Sequence, residues 1–453
     1  MPGRIYFFAR PIAAPIHYIH DAELHALYPE LPIITGYFQG FHYFGGGVLQ
    51  LITIAATNNL IVIKSDHRIP IEYTCTAFEQ AIANGQENFR LQIILTPTTP
   101  PEKCENLIAR SLAYILAKNI ASLSSLELIF YPGSSEIVDD GLPVFRGQDR
   151  PRYTPSLFLI HKLAEFFARC GVTRLTLNNV FFTDDLAHLL CTTAIHLTHL
   201  SIDNAQFTNA ASVPVWNSLS LRELYLKEIF VTGDAAELFF QTLFHHQTLQ
   251  SLTLNGIDFS DLLAISLATI LPHINIQNLI FTSNSISDSN MARLSLALSS
   301  CHSLRQLALD YGRISDNGFA LLIFHLANTR SLMTLNLEAF GDLEQDLLPL
   351  SMRKIEVLVT LLPAANLQIL NLKYASINDA GAAILAAALE TNESLEILNL
   401  EGNDISDVGA QTLLNALSKN RSLQRLILDD NPISEECSQQ LSISLRARPC
   451  PSF

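Results

Sequence analysis

The sequence predicts an α/β repeat solenoid, a curved stack of strand–turn–helix units with a parallel β-sheet on the concave face and helices on the convex face. Three observations predict it. A motif of the form Leu-x-x-Leu-x-Leu, sometimes opened by Val or Ile, starts at Leu123, Val172, Leu197, Leu221, Leu249, Ile276, Leu304, Leu332, Leu367, Leu395 and Leu423. A fixed step of roughly 20–50 residues is the signature of stacked supersecondary units. The clearest copies, SLEILNLEGNDISDVG (394–409) and SLQRLILDDNPISEE (422–436), stand 28 residues apart. Hydrophobic residues make up 49% and charged residues 16%, which suits one continuous aliphatic ladder and opposes disorder.

One unit, 395–422, shows how the residues dictate the elements. Leu398 and Leu400 lie two apart, so on a strand they share the core face, while Ile397, Asn399 and Glu401 point the other way. Asn403 follows, where its side-chain amide can bond the turning backbone. Ile405 re-enters the core, and Ser406 or Asp407 can cap the next helix. Leu413, Leu414 and Leu417 make a helical stripe toward the strands, and Asn420 and Ser422 turn the chain back. The sequons at Asn392 and Asn420 occupy one repeat position, so repeat chemistry explains them without glycosylation. No single unit can bury its apolar face; stacked neighbours bury it together.

The chain divides into three expected regions. Residues 1–88 do not fit the repeat and read as an N-terminal cap or a small α/β module that binds a partner. They include two strands around VLQLITI (48–54) and LIVIKS (60–65), a helix at Phe78–Ala83 and an aromatic, glycine-rich stretch at 36–47. The array is expected over 89–436, opening with FRLQIIL (89–95) and a helix over Pro101–Ile120. Residues 437–453 form a C-terminal cap or tail. Within the array one step lengthens to 49 residues through a Pro-, Gly- and Asp-rich insertion at 131–155, and another to 35 near 340–352, with Pro349 marking a lengthened helix. A long insertion is either a floppy excursion or a binding loop.

The 28-residue step, with a helix after the pattern N-x-I-x-D-x-G at 403–409, resembles leucine-rich repeats of the ribonuclease-inhibitor type. The resemblance covers about 90 to 436 and implies a horseshoe with its sheet inside the curve. Relatives of that type include inhibitors, Ran GTPase activators, innate immune sensors and bacterial effectors, so it implies binding rather than a defined chemistry.

Catalytic signals are weak. No phosphate loop, dinucleotide fingerprint, zincin motif or nucleophile elbow occurs. No catalytic residue, metal or cofactor is expected. His17 and His20 stand one helical turn apart but lack enough further ligands for a metal. Cys301 adjoins His302, on a repeat turn where neighbouring side chains point apart. Arg313 has the placement of an arginine finger, which keeps a Ran-activator-like regulator of a small GTPase as the alternative. An enzyme with its site in 1–88 is a third reading. Seven scattered cysteines, without a C-x-x-C pair, read as reduced thiols in a cytosol-like compartment.

The formal charge of −15 opposes nucleic acid and anionic membranes, and no run of 18 uncharged apolar residues suggests a membrane span. A monomer that binds a neutral or basic protein surface is expected. Non-core strand positions and the residues just past them supply the candidate face: Arg174, Asp203, Glu223, Tyr225, Lys227, Asp310, Tyr311, Glu338, Lys373, Tyr374, Glu401 and Arg425, with Thr282 and Asp429 among them. Tyr and Arg are frequent interface anchors. The tail ISEECSQQLSISLRARPCPSF (433–453), with Glu435 and Glu436 before small polar and apolar residues, is similar to type IV (Dot/Icm-type) translocation tails. That resemblance implies a bacterial effector delivered into the host cytoplasm.

Overall fold

The computed structural model describes residues 152–207, 219–229, 248–257, 261–309 without 283 and 285, 314–338 and 350–446. It also describes the strand backbones of 42–44, 48–55, 60–65, 89–95 and 123–130, and helical positions between Glu105 and Leu116. The chain forms two compact units: Met1–Leu221 with Glu228–Ala235, and Arg222–Lys227 with Ala236–Phe453.

In the first unit β1 (His42–Phe44), β2 (Val48–Ala55) and β3 (Leu60–Ser65) pair antiparallel. From β3 onward the ladder is parallel, through β4 (Phe89–Leu95), β5 (Leu123–Phe130), β6 (Arg174–Asn178) and β8 (His199–Asp203). Two short strands after the turns, β7 (Phe181–Phe182) and β9 (Gln206–Phe207), pair parallel with each other. The helices are α1 (Leu157–Phe167) and α2 (Asp184–Thr193). Each is opened by a hydroxyl that accepts a backbone N–H, Ser156 from Leu159 and Thr183 from Leu186.

The second unit holds a wholly parallel ladder: β10 (Glu223–Lys227), β11 (Ser251–Asn255), β12 (Asn278–Thr282), β13 (Gln306–Leu309), β14 (Thr334–Asn336), β15 (Ile369–Asn371), β16 (Ile397–Asn399) and β17 (Arg425–Ile427). Its helices are α3 (Asp261–Ile270), α4 (Asp288–Ser299), α5 (Asp316–Leu326), α6 (Met352–Leu358), α7 (Asp379–Leu389), α8 (Asp407–Lys419) and α9 (Glu435–Arg446). The register places like on like: Leu370 opposite Leu398, and Leu398 opposite Leu426. Each unit is thus an α/β repeat stack, as the period demands.

Leu398, Leu400 and Ile405 are fully buried, as the two-residue period requires. The helical stripe differs from expectation. Leu414 is only half-buried, and α8 turns Gly409, Ala410, Leu413, Ala416 and Leu417 inward. Those positions follow a period of about 3.6 residues, so the small Ala416, not Leu414, faces the strands. α6 begins at Met352 behind an N-cap at Ser351, while Pro349 lies outside the described residues.

Two polar ladders stitch the repeats of the second unit together. In the first, an asparagine, buried at Asn284 and Asn403 and half-buried at Asn431, ties its own turn to the preceding one. Asn403 accepts from Ile377 N–H at 2.9 Å and donates to Leu372 O at 2.9 Å and Leu400 O at 2.8 Å. Asn284 and Asn431 make the equivalent bonds, to Ile257 N–H and Leu254 O, and to Ile405 N–H and Leu400 O. In the second ladder, Ser406 caps α8 while its neighbour Asp407 reaches forward instead. Ser434 N–H and Oγ each donate to Asp407 at 2.7 Å. Asp379 likewise receives Ser406 N–H at 2.8 Å, Ser406 Oγ at 2.6 Å and Gly409 N–H at 3.0 Å. These bonds, the Ser406 hydroxyl foremost, hold the Asp379 carboxyl below the usual carboxylate range.

The glycine of the D-x-G pattern is explained by the same contact. A Cβ on Gly409 would stand 2.4 Å from Asp379 Oδ1 and 2.8 Å from Ile405 Cγ2. The residue is glycine because the preceding repeat's aspartate passes over it. In α6 the corresponding place holds Lys354, buried, with its ammonium 5.9 Å over the Phe319 ring. Burial pulls this lysine below its ordinary value, and Asp316 and Asp288 offset part of that pull.

Candidate partner-binding face

The strands present alternate residues to the side away from the helices. On β10 these are Glu223, exposed, and Tyr225 and Lys227, half-buried. They align with Ser251, Thr253 and Asn255 on β11. Thr282 departs from expectation: it is 5% exposed, turned in where β12 gives way to its turn. Arg425 opens β17 and is exposed. Arg174 and Asp203 belong to the first unit, on β6 and β8, where Arg174 Nη2 lies 2.9 Å from His199 Nε2. Asp310, Tyr311 and Arg313 lie outside the described residues, as do residues 131–151 of the insertion, His17, His20, the 36–41 and 45–47 parts of the glycine-rich stretch and the expected helix at Phe78–Ala83.

Glu338, Lys373 and Glu401 lie beyond the strands on which they were expected, as does Asp429 beyond β17. β14, β15 and β16 have three residues each, and each ends in asparagine. The asparagine side chain accepts the N–H two residues on, which starts a turn. Glu338 N–H thus donates to Asn336 Oδ1 at 2.9 Å, Lys373 N–H to Asn371 Oδ1 at 3.1 Å and Glu401 N–H to Asn399 Oδ1 at 3.0 Å. The three charges are held on turns rather than on a flat strand.

Those turns bring several candidates together. Lys373 Nζ is 2.6 Å from Glu401 Oε1 and 4.8 Å from the centre of the Tyr374 ring. The hydrogen bond to Glu401 raises the Lys373 ammonium above its ordinary value, with Tyr374 and Glu338 adding to it. Glu338 Oε2 accepts from Asn371 Nδ2 at 3.2 Å. The Tyr374 ring rests against Gly402, whose Cβ, if present, would lie 2.1 Å from Tyr374 Cε1. Tyr374 remains 45% exposed.

Tyr374 also sits in an uncommon backbone state. The residue seven places after each motif start turns through positive φ at Asn179, Asn204, Glu228, Gly256, Tyr374, Gly402 and Asp430. Gly, Asn and Asp tolerate this conformation, whereas Glu228 and the bulkier, aromatic Tyr374 adopt it only under strain. Tyr374, at φ 54°, is held there by its surroundings. By sequence alignment of the motifs, Tyr311 takes the same repeat position.

The Leucine Rich repeat family model matches residues 391–414. The fold is a leucine-rich repeat solenoid. The matched segment runs from the Asn392 turn through β16 and the Asn403 ladder into α8, so the signature and the hydrogen-bonded stitches coincide. No curated protein matches the chain. The solved structure of a Bacteroides fragilis protein, a structural-genomics target, is similar at 14% identity and a TM-score of 0.32, over 76% of this chain and 81% of that one. That likeness is too remote to carry either fold or function.

Several other chemistry-bearing residues are taken up by the framework. Asn392 and Asn420 are buried, and their Nδ2 atoms donate to Leu362 O and Leu389 O at 2.9 and 2.8 Å, which leaves no amide nitrogen open to a glycan. Cys301 is buried, its Sγ donates to Leu271 O at 3.2 Å, and burial pushes the thiol up to about 12. It is therefore an un-ionised thiol at neutral pH, unsuited to attack. Where the insertion returns, Tyr153 pairs with Asn179 and Phe181 backbone at 2.8 Å, and buried Glu105 accepts from Tyr153 Oη and Ser156. The adjoining Arg152 is pulled below its ordinary value by burial, offset by Glu228. Spacing alone did not mark these two. Among the described residues no helix is long and apolar enough to cross a membrane.

Proposed function

We propose that this protein is a non-enzymatic interaction module whose sheet face in the second unit binds a protein with a basic or amphipathic surface. Leucine-rich repeats generally mediate protein–protein interaction. One observation carries the reading: an exposed tyrosine is kept at a backbone position that prefers glycine or asparagine, beside a close charge pair. The fold does not need an aromatic ring there, since the next repeat places Gly402 at the same point. Strain retained at an exposed residue points to a demand other than folding. The described charges of this face lean acidic, with Glu223, Glu338, Glu401 and Asp429 against Lys227, Lys373 and Arg425, which favours a basic partner.

The test is the triple variant Tyr225→Ala, Tyr311→Ala, Tyr374→Ala. It is expected to fold as judged by circular dichroism and to lose at least about tenfold in affinity for the cellular partner in pull-downs, as loss of aromatic anchors does. A folded variant that captures the partner as well as the wild type removes this placement.

The finer reading, an effector acting in a host cell, rests on the composition of residues 434–453. The Glu435 and Glu436 side chains open α9, so a double Gln variant keeps the helix while removing both charges. A translocation reporter fused to that variant should lose delivery. Delivery equal to wild type would discard the effector reading without touching the binding face.

A further inference from the structure

The charge pair on the turns after β15 and β16 has the geometry of an occupied cation site. Lys373 Nζ lies against one carboxylate, Glu401 Oε1 at 2.6 Å, and over one aromatic ring, Tyr374 at 4.8 Å. A second carboxylate, Glu338, acts on the same ammonium. Ring face plus carboxylate is the arrangement that recognises a cationic side chain from outside. Lys373 approaches from the neighbouring backbone position, on a flexible stem, and is part-exposed together with Glu401.

Resting on the reading of the face as a docking surface, we infer that Lys373 is a built-in stand-in for a partner's arginine. On docking, the guanidinium displaces the Lys373 ammonium from Tyr374 and Glu401. Arginine is the fitting class for two reasons. Its planar fork stacks on an aromatic ring, and its N–H donors can meet both oxygens of Glu401 at once, which one ammonium on a single stem does poorly. Displaced Lys373 swings into water on its four-carbon stem, so the exchange demands no backbone movement. The resident lysine then sets a threshold: isolated cations gain little, and only a segment that presents arginine along with further contacts docks.

The test uses full-length protein and two probes, tetra-arginine amide and tetra-lysine amide, titrated calorimetrically at low ionic strength. Lys373→Met removes the competitor and keeps the stem, so it should tighten tetra-arginine about tenfold and tetra-lysine by less. Adding Glu401→Gln to that variant should abolish the gain. Thermal unfolding of each variant by circular dichroism confirms that both remain folded. A Lys373→Met protein that binds tetra-arginine no more tightly than wild type overturns the inference. So does a gain that survives Glu401→Gln. Either result leaves the docking surface intact if the tyrosine variant still loses its partner. Conversely, partner capture unaffected by the tyrosine changes removes that surface whatever the peptides do.

Discussion

Leu398→Ala is expected to lower the free energy of unfolding by about 2–5 kcal/mol. The side chain is fully buried at the middle of β16, in register with Leu370 on one side and Leu426 on the other. Truncation loses the transfer free energy of the missing carbons. It also opens a gap in a ladder whose neighbours are fixed by their own strand bonds and cannot close in. In a globular core a side chain from another layer can relax into such a space. Here the flanking leucines are tied to their own rungs, which places the cost toward the upper part of the range. Urea unfolding followed by far-ultraviolet circular dichroism measures it, as a lower midpoint at an unchanged slope. A loss under about 1 kcal/mol would mean that the ladder is far more yielding than its register implies.

Asn403→Leu is expected to cost about as much, although it enlarges the apolar core and leaves side-chain volume nearly unchanged. The amide is 4% exposed and serves the preceding turn and its own. Its loss leaves Ile377 N–H without the acceptor at 2.9 Å and Leu372 O without the donor at 2.9 Å. Leu400 O keeps a second donor in Asn431. Each buried orphan costs about 1–3 kcal/mol, so two give about 2–6 kcal/mol. Asn403→Asp separates the contributions, because a carboxylate still accepts from Ile377 but cannot donate to Leu372. The same urea experiment reads both variants. A leucine variant as stable as wild type would show that the turn finds other partners, and the asparagine ladder would lose its structural standing.

The core was legible because side-chain period is a one-dimensional signal. Leu398 and Leu400 fall two apart and repeat every 28 residues, so both the face and the stacking follow from spacing. Asn403 was legible by type, since a side-chain amide after a strand has few other uses. The helix stripe was less so: Leu414 reads as core by composition, yet α8 turns Ala416 inward, because the phase of a helix depends on where its cap sets the first turn. The cap of α8 was open between Ser406 and Asp407, and it is Ser406, not Asp407. Asp407 bonds Ser434 in the next repeat, a partner 27 residues away that no local pattern names.

The face of the second unit shows the same division. Its charged residues and its tyrosines could be named from the chain. The short strands could not, because asparagine at their ends competes with the sheet for the following N–H, and that competition is settled only by the neighbouring rung. The positive φ of Tyr374 was likewise hidden. The position could be recognised only once Asn179, Asn204, Gly256 and Gly402 were seen to share it. Glycine at 402 then gains a second meaning, as the space the Tyr374 ring needs.

What the sequence by itself determined is the repeat and the identity of the buried aliphatic rungs. These depend on intervals along the chain, and intervals survive in a string of letters. Only the tertiary structure decided which polar groups meet: Asp407 with Ser434, Asn403 with Leu372, Lys373 with Tyr374 and Glu401. Hydrogen bonds and ion pairs act over about 3 Å and depend on angle, so they exist only after neighbouring repeats have been brought into register, whereas burial of an aliphatic side chain is non-directional and needs only to be on the correct face.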